Sequence, residues 1–202
     1  MRMNRILLAG LCLLAGASVF GQTASLQQPS HNPSQNNRLG AMSFNYDAQH
    51  DQIVASGVQM KPHSNTTPIT PTTGKIVVTV NIVAETHFPM GTKFHCTLLA
   101  VGGEIDTTDG VIGGGLETTS TVAKHDVCTL TIPYSWIVPP DPAASTGLIL
   151  AVGVSAVEGQ GHDDHGNGNG GGTVSRTSLQ VGGVEALPPN GSTTSVSLDI
   201  VL

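Results

Sequence analysis

The chain has 202 residues, of which 11% are charged and 3% aromatic, and its eight basic and fourteen acidic side chains leave a formal net charge of −6. A surplus of negative charge repels phosphate backbones and supplies no polybasic patch, so nucleic acid and anionic membrane surfaces are excluded as expected partners. Abundant Gly, Thr, Ser and Val, with few helix-favouring Glu, Lys and Arg, point to an all-β protein.

The chain opens MRMNRILLAGLCLLAGASVFGQ, with Arg2 and Arg5 ahead of an apolar run from Ile6 to Ala15, then small residues at Gly16, Ala17 and Ser18. This pattern predicts a secretory signal peptide over residues 1–21, too short to span a bilayer, with cleavage before Gln22. Leu11 stands before Cys12 where lipoprotein processing needs a small residue, which argues against acylation. The product is expected to be exported to the periplasm, the cell surface or the extracellular space, without membrane insertion once the leader is removed. Without Arg2 and Arg5 the net charge becomes −8.

Residues 22–73 are polar and punctuated by proline, a composition that buries too little surface to offset its ordering entropy. They are read as a mostly disordered linker. Inside it, AMSFNYDAQHDQIVASGVQM carries Phe44, Tyr46, Ile53, Val54, Val58 and Met60 at irregular spacing, and is read as a weakly adhesive stretch of that linker, with docking on the domain or on a partner as the alternative.

From residue 74 the text changes. In KIVVTVNIVAE, Ile76, Val78, Val80, Ile82 and Ala84 fall on one face, the period of a strand. Comparable runs follow in TKFHCTLLAVGG, LETTSTVA, HDVCTLTIPYSWIV, TGLILAVGVSAVEG, TVSRTSLQVGGVEAL and TTSVSLDIVL. Seven strands separated by Gly, Pro, Asp and Asn predict one domain over 74–202, an immunoglobulin-like β-sandwich, with a small barrel as the alternative. The closing run, with Val196, Leu198, Ile200 and Leu202 aligned, is expected to pair inside a sheet.

With Cys12 removed by cleavage, Cys96 and Cys128 form the one pair left in an oxidising compartment. Both lie on the apolar face of their strands, so a buried structural disulfide is predicted, and neither has the Cys-x-x-Cys spacing of a redox site.

Four groups of residues bear on chemistry. The stretch GQGHDDHGNGNGGG, residues 159–172, gathers His162, Asp163, Asp164 and His165 at the tip of a connection, where imidazole suits zinc and carboxylate suits calcium. Laid on a calcium-loop pattern from Asp163, the twelfth position is Val174 instead of Glu, and glycine makes ordering any ligand set costly. The stretch is therefore read as a solvated turn, with a divalent metal on His162, Asp163, Asp164 and His165 as the alternative; no other cofactor is expected. His95 and His125 lie at odd offsets from the cysteine of their own strand, so both are expected on the face away from the disulfide, and His87 lies in a turn. Glu104, Asp106 and Asp109 in GGEIDTTDG read as turn residues, and Tyr134 and Trp136 as packing residues.

Familiar catalytic patterns are missing from the text. In composition the chain is similar to a superoxide dismutase, but the His-x-His of a strand-borne copper site does not occur, nor does a Cys followed closely by His and Met. Gly-x-Ser-x-Gly, His-Glu-x-x-His and a phosphate-binding Gly-Lys-Ser/Thr are also absent. An exported all-β chain with one disulfide and a long N-terminal extension loosely resembles the pilus subunits assembled by chaperones. It departs from them in TTSVSLDIVL, which has no aromatic near the end, and in an extension without alternation, so no residue role is carried over. The expected function is a non-catalytic exported sandwich protein in binding, adhesion or envelope structure, with an unknown protein or surface ligand as partner. The alternatives are a metal-binding exported protein and a self-assembling, pilin-like surface subunit.

Overall fold

The computed structural model describes residues 37–61, 71–137, 146–159 and 172–202. Among them the chain forms twelve strands and no helix. In chain order they are β1 (Asn37–Leu39), β2 (Met42–Asp47), β3 (Gln52–Ser56), β4 (Gln59–Met60), β5 (Thr72–Val83), β6 (Lys93–Asp106), β7 (Val111–Ile112), β8 (Gly115–Val122), β9 (Val127–Trp136), β10 (Thr146–Glu158), β11 (Thr173–Val181) and β12 (Ser192–Val201).

Period-two sequence produces the first sheet directly. β5 buries Ile76, Val78, Val80 and Ile82, β9 buries Cys128, Leu130, Ile132, Tyr134 and Trp136, and β12 buries Val196, Leu198 and Ile200, while the residues between them face outward. These strands lie in the order β12-β5-β9; β5 runs antiparallel to β9 and parallel to β12, in unbroken register from Ser192↔Gly74 to Val201↔Val83. The closing strand is thus paired within a sheet, as its alternation predicts.

A second sheet, β11-β10-β6-β8, packs on the first, and β7 and β4 continue it beyond the end of β8. Its inner face supplies Cys96, Leu98, Ala100, Leu150, Val152 and Val154 to the core shared with the first sheet. The Cys96–Cys128 disulfide crosses this core from β6 to β9, which belong to different sheets. At one end of the core Trp136 stacks on Tyr134, with centroids 4.3 Å apart, and lies over Gly102 and Gly115, a cross-strand pair on β6 and β8. A Cβ at either glycine would overlap the indole, so these two positions admit the ring only because they lack side chains.

The two central strands of the second sheet, β6 and β10, are buried on both faces. Leu99, Val101, Ile105, Ile149 and Ala151 point away from the disulfide and meet Met42, Phe44 and Ile53 of a third layer, the meander β1-β2-β3. Full burial of side chains of this size stabilises by roughly 1.5–3 kcal/mol each, so the third layer is part of the fold's core.

This corrects two expectations. Residues 37–60, read from sequence as part of a disordered linker, form four strands, and the seven-strand count becomes twelve in three layers. The reason is that a small hairpin has too little surface to be stable alone, but the two-sided middle sheet supplies the other half of its core. Residues 1–36 and 62–70 lie outside the described residues, as does the stretch 160–171 that carries His162, Asp163, Asp164 and His165.

Candidate functional site

Polar side chains converge where the β2–β3 hairpin rests on the middle sheet. The turn between these strands is held by Asp47, whose Oδ1 accepts the backbone N–H groups of Gln49 and His50 at 3.1 and 3.3 Å, and whose Oδ2 lies 2.7 Å from His50 Nδ1. That hydrogen bond from His50, together with the turn N–H groups, holds the exposed Asp47 carboxyl below the usual carboxylate range. The turn closes on Asp51 in the left-handed region, at φ 49°, a conformation that aspartate tolerates better than most residues.

From there Asp51 Oδ2 meets His95 Nδ1 of β6 at 2.8 Å, and the Asp51 carbonyl accepts the Thr97 hydroxyl at 3.1 Å. Tyr46 of β2 lays its ring flat against Gly153 of β10, which has no side chain to obstruct it. Its hydroxyl comes within 3.3 Å of Ser155 Oγ and 3.4 Å of Asp51 Oδ1. Burial raises the Tyr46 pKa above 10.0, opposed by the hydrogen bonds with Ser155 and Thr97 and reinforced by the negative charge of Asp51. Thr97 and Ser155 are fully buried, while His95 and Asp51 keep about a quarter to a third of their side-chain surface in solvent.

The cluster therefore contains Ser, His and Asp, the residue types of a nucleophilic triad, and His95 stands directly across the ladder from Ser155. Its connectivity is different. The Ser155 hydroxyl is engaged with Tyr46, Tyr46 reaches Asp51, and Asp51 holds His95. A nucleophile must also be reached by a substrate, and Ser155 lies beneath the hairpin at 0% exposure. The arrangement fastens one layer to another through groups that would be expensive to bury unpaired. His95 does point away from the disulfide, as its offset from Cys96 predicts; the partner that orders it, Asp51, came from the segment read as disordered. Asp51 two residues before an apolar Ile53, and opposite the alternating Met42, Phe44 and Tyr46, was the available signal of a hairpin turn.

Two further histidines among the described residues, His125 and His87, lie elsewhere. His125 sits in the β8–β9 turn at φ 57°, before β9 begins, so the strand face expected from its offset to Cys128 does not apply to it. His87 lines an open groove of about 570 Å³ at one end of the sandwich, with Glu85, Phe88, Thr92, Phe94 and Asp126. Its aromatic wall is ordered by an edge-to-face contact of Phe88 with Phe94, centroids 5.2 Å apart, and by Arg176 above the Phe88 ring at 5.8 Å. Among the described residues no three His, Cys, Asp or Glu side chains converge as metal ligands.

Other acidic and aromatic residues have structural partners. Glu104, on β6 and not in a turn, accepts both of its bonds from Lys61 Nζ at 2.8 and 2.9 Å. Asp106 Oδ1 accepts the N–H of Thr108 at 2.9 Å and closes the turn that contains Asp109. Tyr134 and Trp136 are 4% and 1% exposed, in keeping with their reading as packing residues. No protein-family model matches this chain, and neither a curated protein nor a solved structure is matched by it.

Proposed function

We propose that this chain is an exported, non-catalytic protein with a binding, adhesion or envelope-structural role, in which an immunoglobulin-like sandwich carries an additional hairpin layer. The observation that supports it best is the use made of the Ser155, His95, Asp51 and Tyr46 cluster: its hydroxyls and carboxylate are committed to holding the hairpin against the sheet. The inter-sheet Cys96–Cys128 disulfide is consistent with export, as is the leader-like text of residues 1–21. The open groove at His87 and Phe88 offers a surface on which a small polar ligand or an exposed chain could rest.

The test combines export and chemistry. The full chain, expressed in a secreting host, is expected to be recovered outside the cytoplasm, beginning at Gln22, with Cys96 and Cys128 oxidised. Against a panel of activated esters and amides, wild type and Ser155→Ala should both show only background turnover, while Ser155→Ala loosens the hairpin. Turnover in the wild type that disappears in Ser155→Ala would reverse the reading, and recovery of an uncleaved cytoplasmic chain would remove its export component.

A further inference from the structure

We propose that β12 is a self-recognition edge, through which two copies of this chain pair their β12 strands antiparallel about a two-fold axis at Ser197. Leu202 N–H donates to the Val83 carbonyl at 3.0 Å and the Leu202 carbonyl accepts from Glu85 N–H at 3.0 Å, the pattern of a residue bonded to its parallel neighbour on both sides. The register of β12 with β5 is unbroken, so Val196, Leu198 and Ile200 share this orientation toward β5. Thr193, Ser195, Ser197, Asp199 and Val201 then point their N–H and C=O groups the other way, toward an edge that carries no strand among the described residues. The first four of these are also exposed.

Folded proteins usually protect an edge of this length, and among the described residues the other edge strands are short or carry such protection, β4 having only two residues. β9 contains Pro133, β11 carries Arg176 and a register break opposite Ala156 and Val157, β8 carries Glu117, and β1 and β3 are three and five residues long. β12 has ten residues without proline, glycine, bulge or basic side chain. Its one charge, Asp199, is held by Asn81 Nδ2 at 2.8 Å, on the outer face of the sheet.

A second β12 fits this edge in one register better than others. With Ser197 opposite its own copy, Ser195 stands opposite Asp199 and Thr193 opposite Val201, and each of the five residues exchanges both backbone groups with the copy. The Ser195 hydroxyl can then donate to the copy's Asp199 carboxylate. The two Asp199 side chains stand four residues out of line, about 13 Å apart along the strand, so like charges are not opposed. On the inner face Val196 comes opposite Leu198, which carries the apolar layer across the axis.

The test uses the full chain, exported and recovered from the secreting host. Sedimentation equilibrium is expected to show a monomer–dimer equilibrium. Ser197→Pro removes an edge N–H that is not part of the ladder with β5, and Ser197→Lys sets two like charges face to face; each should weaken the dimer by tenfold or more. Ser197→Cys should cross-link spontaneously across the axis, because Cα atoms of a hydrogen-bonded antiparallel pair are about 5.5 Å apart, within disulfide reach. Ser195→Cys, displaced from its own copy, should not cross-link, and neither should wild type. Ser197 is solvent-facing, so the cysteine variants decide the matter even where the proline variant fails to fold. A strictly monomeric chain at sub-millimolar concentration, a dimer indifferent to Ser197→Lys, or a ladder of larger species without the Ser197→Cys cross-link would each overturn the proposal.

Discussion

Replacing Gly153 with valine puts a side chain where the Tyr46 ring lies. The new Cβ would stand 2.5, 2.6 and 2.8 Å from three carbons of that ring, distances at which something must move. The ring is not a flexible tip, since its hydroxyl is held at Ser155 and Asp51, so relief requires β2 to lift from β10. Overpacking of this kind costs about 1–3 kcal/mol. Loss of the Tyr46 hydroxyl bonds adds about 1 kcal/mol, so the hairpin loses roughly 2–4 kcal/mol of docking. Hydrogen exchange read by mass spectrometry should show protection of β2 and β3 falling by about thirtyfold to a thousandfold, with β5 and β12 little changed. Tyr46→Ala in the same chain removes the obstruction, and the double variant should be less destabilised than the sum of the two single ones. Unchanged protection of β2 and β3, or an equal loss in β5 and β12, would refute the claim that the ring against Gly153 fastens the third layer.

Raising the pH should release the same contact. Burial raises the Tyr46 pKa above 10.0, so the stability linked to its protonated hydroxyl is present below that value and is lost as pH rises through the folded one; Tyr46→Phe should abolish this alkaline component of a hairpin-exchange titration. Reducing the Cys96–Cys128 bridge, which spans 32 residues, should lower unfolding stability by about 4 kcal/mol in the chain-entropy account, seen as a fall in denaturation midpoint that Cys96→Ala with Cys128→Ala reproduces; an unchanged midpoint would deny the bridge its structural role. Deleting residues 197–202 removes the buried Leu198, Ile200 and Leu202 and should abolish cooperative unfolding, whereas a melting curve like that of the intact chain would show β12 to be dispensable. Gly102→Ala should displace Trp136, giving a red-shifted emission and a loss of about 1–3 kcal/mol.

Which parts of this molecule can be read from its text depends on how many faces of a strand are buried. β5, β9 and β12 are wetted on one side, and their alternation alone identifies the inward Ile76, Leu130 and Leu198. β6 and β10 are covered on both sides, and TGLILAVGVSAVE shows this as an apolar run that alternation cannot divide between two cores. Taken as a one-sided strand, it hides the need for a third layer. The hairpin is missed for the complementary reason: Met42 and Phe44 make a plausible core face only when Leu99 and Ile149 stand opposite, and no local composition reports that. The His95–Asp51 contact joins residues 44 positions apart across two layers, and had no signature beyond the side-chain types themselves.

The parallel alignment of β5 with β12 also governs the order of events when the chain folds. β5 occupies the middle of its sheet, yet one of its two neighbours lies some 118 positions further along. Antiparallel pairing with β9 and closure of the 32-residue disulfide loop do not require the later segments. The inner faces of Val78 and Val80 stay incompletely covered until Val196 and Leu198 arrive, a closure of high contact order, which slows folding in general. For a chain threaded through a membrane, this core can be completed only when β5 and the far later β12 are on the same side.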